Sequence, residues 1–499
     1  LARVVIVSNR VGVPDSDGRA GGLEVAVRAT LKRNPGLWFG WSGRVAKREH
    51  LRTESVVRGK LSYLTTDLSE EDYNEYYSGF ANRVLWPILH YRLDLVDFSR
   101  RDLSGYLRVN EYFAAELDKV LQPDDIIWVH DYHLLPLAQA LRERGHKNKI
   151  GFFLHIPLPP PEILTALPNH ERLIPALCHY DLVGFQTDGD ADNFARYLMR
   201  VAKLESQDRR TFRTGGRITR IDAFPVGIET AEFARTAERS AQTPFTRRAL
   251  DSLRGAMMII GVDRLDYSKG ITLRLDAYER FLVAYPDWRG KVTYLQITPK
   301  SRSDIPEYAE MNRRVDSTAG RINGSYGDVS WTPIRYVNRA YSRTALAGLY
   351  RAARVGLVTP LRDGMNLVAK EYVAAQDPAN PGALILSQFA GAAAEMEAAL
   401  LVNPYDPEAV GAAIAQALAM PIEERLSRHE TLIRVLKEND ITFWGERFLN
   451  ALNKPSVGVP QTPPSIQAPF VARARDIGRI LEVAKPRPDP PKANSLATK

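Results

Sequence analysis

The sequence predicts an α/β protein built from two parallel-sheet domains that face each other across a cleft. Three observations carry that prediction. Short apolar runs alternate with longer amphipathic segments, the strand–helix–strand order that produces parallel units. Most of the runs, such as "RVVIVS" (3–8) and "MMIIGV" (257–262), are continuous rather than alternating, as strands covered on both faces require. The series also stops over 226–256, a polar stretch with no apolar strand, and starts again at Met257. Each half therefore reads as Rossmann-like, the first over 1–230 and the second over 231–438.

In order, strands are expected at 3–8, 125–130, 150–155 and 181–186 in the first half, and at 257–262, 291–297, 355–359 and 383–387 in the second. Helices are expected to follow most of them, at 21–33, 134–145, 189–203, 271–286 and 366–376. "NDITFWGERFLNAL" and its neighbour (439–453) read as a last helix that packs back on the first domain. From 454 to 499 the chain is Pro-rich and basic, a composition expected to stay disordered apart from a short helix near "VARARDIGRILEVA".

Composition narrows the classes. At 499 residues the chain is long enough for two to four domains with a large core, so it needs no covalent staples. The single cysteine, Cys178, excludes an internal disulfide framework and a cysteine-rich zinc site, and reads as a buried small apolar side chain. The first residues show no basic-then-apolar leader, and no long apolar span follows, so a cytoplasmic, membrane-free protein is expected. Of the formal charge of +8, the 454–499 tail contributes eight Lys/Arg against three Asp/Glu, a net +5. The remaining +3 on the body is no nucleic-acid footprint and is compatible with small phosphorylated ligands.

Open parallel sheets bind ligands beyond the carboxyl ends of their strands, so the residues after each strand deserve the closest reading. After the first, "SNRVGVPDSDGRAGGLEV" (8–25) opens a helix on Gly21 and Gly22, where backbone N–H groups can hold phosphate oxygens. No GxGxxG and no GxxxxGK[ST] occurs, so the dinucleotide and P-loop fingerprints both fail. "HDYHLLP" (130–136) and "HIPLPPPEI" (155–163) put Asp131 and His155 at neighbouring strand ends. "NEYYSGFANRVLWP" (74–87) holds Tyr77 and Trp86, aromatic faces suited to a sugar ring or simply to a helix core. In the second half "GVDRLDYSKGI" (261–271) supplies Arg264 and Lys269, two cations able to grip a diphosphate. "TPKSRSDIPEY" (298–308) adds Lys300 and Arg302.

"TPLRDGMNLVAKEYVAAQDP" (359–378) starts a helix at a strand exit, aiming its N-terminal N–H groups at the crevice. Asp363 beside a bound anion can accept from sugar hydroxyls, and Glu371 can take both hydroxyls of a ribose. That combination outlines a nucleotide-sugar site. The Asp-x-Asp of "DGDAD" (188–192) fails as a calcium loop and reads as a helix cap, and no HExxH is present, so no metal is expected.

These stretches, with "VVIVSNR", "AGGLEVAV", "LWFGWSG", "EYYSGFANRVLWPILHYR", "WVHDYHLLPL", "DRLDYSKG", "AGRINGSYG", "VGLVTPLRDGMNLVAKEYVAAQD" and "SQFAGAA", resemble the bacterial trehalose-6-phosphate synthases from Arg3 to about Leu452. These are retaining glycosyltransferases of the GT-B fold. The long basic tail looks like actinobacterial or mycobacterial members. The resemblance implies transfer of glucose from a nucleotide-glucose (UDP-glucose by default, with ADP- and GDP-glucose open) to glucose 6-phosphate, giving α,α-trehalose 6-phosphate. It implies donor contacts at Gly22, His155, Arg264, Lys269, Tyr341, Asp363, Leu367, Val368, Ala369, Lys370 and Glu371. Arg264 and Lys269 would hold the diphosphate, His155 would contact the donor glucose, and Tyr341 would lie near the base. Acceptor contacts are implied at Arg10, Tyr77, Trp86, Asp131 and Arg302, with Arg10 and Arg302 on the 6-phosphate. Asp131, His155, Arg264, Lys269 and Asp363 form the catalytic set. No cofactor and no metal is implied, the partners are the two small substrates, and a homo-oligomer, tetramer or dimer, is expected. Two competing readings are a sugar-phosphate-binding regulator without catalysis, and a related transferase with another acceptor.

Overall fold

The computed structural model describes residues 2–12, 27, 36–299 and 306–454. The predicted 21–33 helix apart from Val27, Gly22, Lys300, Arg302 and the tail from 455 onward lie outside the described residues.

Fifteen strands form two sheets among the described residues. The first contains β1 (Val4–Arg10), β2 (Gly36–Ala46), β3 (Thr53–Arg58), β4 (Leu61–Ser69), β5 (Ile126–His130), β6 (Lys149–Phe153), β7 (Leu182–Phe185), β8 (Thr211–Thr214) and β9 (Arg217–Ala223), in spatial order β3-β4-β2-β1-β5-β6-β7-β9-β8. The second contains β10 (Met257–Val262), β11 (Val292–Ile297), β12 (Ile334–Val337), β13 (Val355–Val358), β14 (Ala383–Ser387) and β15 (Leu400–Val402), in order β12-β11-β10-β13-β14-β15, every neighbouring pair parallel. In the first sheet only the outer hairpins β3/β4 and β8/β9 are antiparallel. The β8/β9 hairpin turns on Gly215 and Gly216, both at positive φ (56° and 79°), the conformation a two-residue hairpin loop demands.

All eight expected strands are present, each within two residues of its predicted ends. The seven others were not anticipated. The 226–256 stretch is strandless, as its composition indicates, but it is helical. Helices Thr230–Ala241 and Pro244–Asp251 bury Phe233, Ala237 and Thr246, and Thr243 caps the second by accepting from the Thr246 N–H. The predicted cap within 188–192 sits one residue earlier, on Thr187, whose hydroxyl oxygen accepts from the Asp190 N–H. Asp190 itself is buried and accepts from the Leu158 N–H at 2.9 Å.

Each sheet reverses direction once. The chain runs from β1 out through β2 to β4, then returns to the other side of β1 as β5. It likewise runs from β10 out to β12, then returns beside β10 as β13. A crevice opens where such neighbours lead away in opposite directions, at the carboxyl ends of β1/β5 and of β10/β13. One apolar cluster is shared by both sheets: Trp128, Phe153 and Leu182 of the first, Val262, Val358 and Leu386 of the second. Helix Ile441–Asn453 lies within this seam. Phe448 stacks on Trp128 at 4.3 Å and occupies the space a side chain at Gly151 or Gly184 would need. Cys178 is buried with its thiol pushed up to about 12 by desolvation, an inert packing residue.

Candidate functional site

Both switch crevices are lined by the residues that follow their central strands. After β10 come Asp263 to Gly270, and after β13 come Thr359 to Asn366. Lys269 and Asp363 meet there, Nζ to Oδ2 at 2.5 Å, with both side chains mostly shielded. Asp363 also accepts from the Asn366 Nδ2 at 2.9 Å. Asn366 sits at φ +73°, a left-handed position that asparagine tolerates, and its side chain caps nothing. The helix it precedes, Leu367–Ala375, therefore presents first-turn N–H groups without a side-chain cap, an arrangement that attracts anions.

Gly364 brings the two sheets together. A Cβ built on it would overlap the His155 carbonyl oxygen, and a Cβ on Gly391 would overlap the Gly364 carbonyl. The exit of β13 therefore packs on the exit of β6 through backbone alone. On the first-sheet side His155 is held at three points. Its N–H donates to Asp131 Oδ1 at 3.3 Å, its carbonyl accepts from Gln186 Nε2 at 3.3 Å, and its Nε2 lies 3.1 Å from His130 Nδ1. Burial pushes the His155 imidazole down to about 3, so the ring is neutral at working pH. Asp131 occupies φ +78°, a strained conformation for a side-chain-bearing residue, worth roughly 1–3 kcal/mol and typical of a functional position.

Aromatic rings continue the wall. The segment Tyr73–Leu85 is a π-helix, a form that recurs at functional sites. It carries Tyr77, which stacks on His133 at 5.9 Å and contacts Trp41 at 5.7 Å. Trp86 follows, 5.7 Å from Tyr132 and 4.1 Å from His90. The exposed Arg10 guanidinium lies 5.7 Å over Trp41. Arg264 crosses from the second-sheet side to lie 5.9 Å over Trp86, and it has no carboxylate partner among the described residues. Arg10 thus reaches Tyr77 through the Trp41 ring, Arg264 meets Trp86, Asp131 meets His155, and Lys269 meets Asp363.

The rest of the predicted set is placed differently. Glu371 faces Arg343 at 3.9 Å, and burial raises its carboxyl to about 7 despite that guanidinium. Tyr341, two residues from Arg343, packs between Phe245 at 5.5 Å and the Arg339 guanidinium at 5.2 Å. It lines an apolar cavity of about 190 Å³ with Ile297 and Val337. Leu367 and Val368 are half-buried and Ala369 is buried. The Lys370 ammonium is fully buried away from the crevice, donating to the Val226 carbonyl at 2.7 Å and paired with Glu395. Only its backbone remains for a ligand.

Sequence reasoning missed several supporting residues, among them Arg274, Arg343 and His90. Arg274, fully buried, donates to Asp263 (2.5 Å), Thr359 Oγ1 (2.9 Å), Gln296 Oε1 (3.2 Å) and the Lys269 carbonyl (3.2 Å), tying three strand ends to the Lys269 loop. Its signal was legible: an arginine on the apolar stripe with Ile271, Leu275 and Tyr278 at helical spacing. Arg343 serves Glu371 and Glu229 together. His90 donates from Nδ1 to the Trp86 carbonyl at 2.8 Å, and burial lowers it to about 4. Among the described residues no group of three His, Cys, Asp or Glu is arranged to hold a metal ion.

The arrangement offers two cations and an uncapped helix start to an anion, and carboxylate and imidazole groups to hydroxyls. The family profile described as glycosyltransferase family 20 matches residues 9–454. A trehalose-6-phosphate synthase of Sinorhizobium fredii is 53% identical over 460 residues, covering 91% of this chain and 99% of the relative. The structure of an α,α-trehalose-phosphate synthase (UDP-forming) from Burkholderia xenovorans in complex with glucose-6-phosphate superposes with a TM-score of 0.88 at 46% identity, covering 91% of this chain and 100% of that one. The E. coli protein bound with UDP-2-fluoro glucose superposes with a TM-score of 0.86 at 49% identity, covering 90% and 99%. These relatives are proteobacterial, so the actinobacterial character read from the tail finds no support in them.

Replacing Arg274 by Ala would leave the Asp263 carboxylate buried without its partner, at a cost of about 3–5 kcal/mol. Urea titration should show that loss, and Arg274→Lys should recover only part of it, because a single ammonium lacks the fork that reaches four acceptors.

Proposed function

The chain belongs to glycosyltransferase family 20, and on that premise we propose how its crevice moves glucose from a nucleotide-glucose to glucose 6-phosphate. The product is α,α-trehalose 6-phosphate, formed with retention, together with a nucleoside diphosphate. The observation that carries the residue assignment is the Lys269–Asp363 pair beside the uncapped Leu367–Ala375 helix start, with Arg264 at the same strand exit.

The residues divide by lobe. Residues 1–230 bind the acceptor, 231–438 bind the nucleotide sugar, and helix 439–453 returns to the first lobe. Tyr77, Trp86 and Asp131 hold the acceptor sugar, and Arg10 and Arg302 meet its 6-phosphate. Gly22, the Leu367–Ala369 N–H groups, Arg264 and Lys269 take the donor diphosphate. His155 and Asp363 meet the donor glucose, Glu371 the ribose, and Tyr341 the base. UDP-glucose is the donor we favour. The protein works in the cytoplasm as a homo-oligomer.

Retention without a covalent intermediate is compatible with the charge distribution. The donor phosphate stays on the face from which it leaves, and its oxygen accepts the acceptor hydroxyl proton as the new bond forms. Arg264, Lys269 and the helix N-terminus stabilise the departing diphosphate, which is where negative charge develops. Lys269 must exchange part of its bond to Asp363 for phosphate, freeing Asp363 for a sugar hydroxyl. The remaining barrier is lowered by holding both sugars in place. No step calls for a metal or cofactor.

A donor panel tests the assignment: UDP-, ADP- and GDP-glucose with glucose 6-phosphate fixed, compared by kcat/KM, with the linkage checked by NMR. UDP-glucose should rank first; no α,α-1,1 product with any donor would overturn the reading. Arg264→Ala should lower kcat by about 10²–10³-fold, the range for removing a donor to developing charge, and leave the melting temperature unchanged because the side chain is exposed. Nucleotide affinity should also titrate with Glu371. The ionised carboxylate accepts from both ribose hydroxyls, so binding strengthens as pH rises through about 7. At pH 6 about a tenth of the protein is competent, which weakens apparent affinity about tenfold. Calorimetry from pH 6 to 8 should show that slope in the wild type and none in Glu371→Gln.

A further inference from the structure

His130 is the last residue of β5 and fully buried. Its imidazole touches the one working ring it could influence, with Nδ1 lying 3.1 Å from His155 Nε2 and the ring centroids 5.3 Å apart. Burial pushes both imidazoles far below their ordinary range, and His155 further disfavours charge on His130, so both are neutral. Two neutral rings share a single proton across this contact. Either His130 Nδ1–H donates to His155 Nε2, or the reverse.

The surroundings of the far side of His130 decide between the two. Its Nε2 is buried without a hydrogen-bond partner among the described residues. The indole rings of Trp128 and Trp444 flank it, with centroids 4.8 Å and 6.3 Å away. Both indole Nε1–H groups are themselves buried without an acceptor among the described residues. A second proton on His130 Nε2 would add a third buried donor to a pocket already short of acceptors, the costlier kind of orphan. A bare Nε2 lone pair is the group that pocket favours.

We propose that His130 is a positioning residue for glucosyl transfer: it keeps its own proton on Nδ1, donates to His155 Nε2, and so compels His155 to carry its proton on Nδ1. His155 then faces the crevice as a hydrogen-bond donor of fixed ring plane. Its N–H and carbonyl are already held by Asp131 and Gln186, and its carbonyl abuts Gly364. With Nε2 engaged as well, the only free polar atom of His155 is the one that can donate to a hydroxyl of the donor glucose. The inference rests on the proposed role of His155 at that sugar.

Long-range ¹H–¹⁵N correlation of ¹⁵N-histidine protein reads the tautomers without substrate, and His130→Phe and His155→Ala assign the signals. The expected wild-type spectrum has both rings protonated at Nδ1. In His130→Phe, which keeps the aromatic packing, His155 should become a tautomer mixture. Turnover should fall roughly tenfold, the scale on which loss of a group orienting a working histidine acts, with the KM for glucose 6-phosphate unchanged. A wild-type His155 protonated at Nε2, or an unaltered Nδ1–H tautomer in His130→Phe, would overturn the proposal. If His130→Phe destabilises the fold, His130→Leu takes its place with the same expected mixture; His130→Gln is the converse test, because its amide N–H can donate to His155 and should keep the Nδ1–H form, and a tautomer mixture there would overturn the proposal. Failure of the underlying role of His155 is separately visible: the tautomers would shift as expected while His155→Ala left kcat and the donor KM unaffected.

Discussion

The site depends on one close approach, the backbone of Gly364 against the carbonyl of His155. Those residues end strands of different sheets, and no side chain fits between them. With that contact made, the Lys269–Asp363 pair, the start of the Leu367–Ala375 helix and the held His155 ring all face one crevice. Gly391 extends the constraint by packing on Gly364 in turn. Two glycines and a carbonyl bring chemistry from two sheets to one crevice, at the cost of permitting no side chain where they meet.

Charge at the crevice is supported from behind. Asp263 and Arg274 form a fully buried pair whose hydrogen bonds reach β11 and the end of β13 as well as the Lys269 loop. A buried pair of this kind adds little net stability over an apolar filling, since desolvation offsets most of the attraction. Its value is geometric: it sets the height of Lys269 relative to Asp363. Arg343 plays the same part for Glu371, though its reach is too long to hold that carboxyl ionised at neutral pH. Arg343 lies 3.9 Å from the Glu371 carboxylate, and attraction at that distance does not compensate for burial.

How much of this was legible follows from which signals are local. Continuous apolar runs disclosed every central strand, because a strand covered on both faces has nowhere to put polar side chains. The outer strands escaped. β2 mixes Gly and Trp with polar residues, β3 is largely exposed, β4 is buried but carries Ser, Thr and Asp, and β8 and β9 alternate, although the Gly215–Gly216 pair between them was a readable hairpin signal. The residues at strand exits could be singled out by position, their roles only through the resemblance. Their supports were missed, since Arg274, Arg343, His90 and His130 act through partners distant in sequence. Lys370 shows the converse failure. The resemblance places it in the donor segment, yet helical phase turns its ammonium inward to the Val226 carbonyl.

The two sheets are joined unequally front and back. Behind the crevice runs the shared apolar cluster, with Trp444 and Phe448 of the last helix buried in it. There the chain crosses twice at close range. Ile441 N–H donates to the Ile228 carbonyl at 3.1 Å, Thr230 Oγ1 donates to the Leu436 carbonyl at 2.8 Å, and Gly227 leaves no room for a side chain beside Asn439. In front, the lobes meet at the Gly364–His155 backbone contact and through guanidinium groups on rings: Arg264 over Trp86, Arg92 over Tyr267 and Arg362 over Tyr91. Such contacts are worth about 0.5–1 kcal/mol each where exposed. Burying one large aromatic of the seam is worth about 1.5–3 kcal/mol. The front therefore yields before the back, and any relative rotation of the lobes pivots on the seam. Because Trp444 belongs to that seam and also packs beside His130 and His155, the pivot lies directly beneath the histidines and leaves their geometry least disturbed.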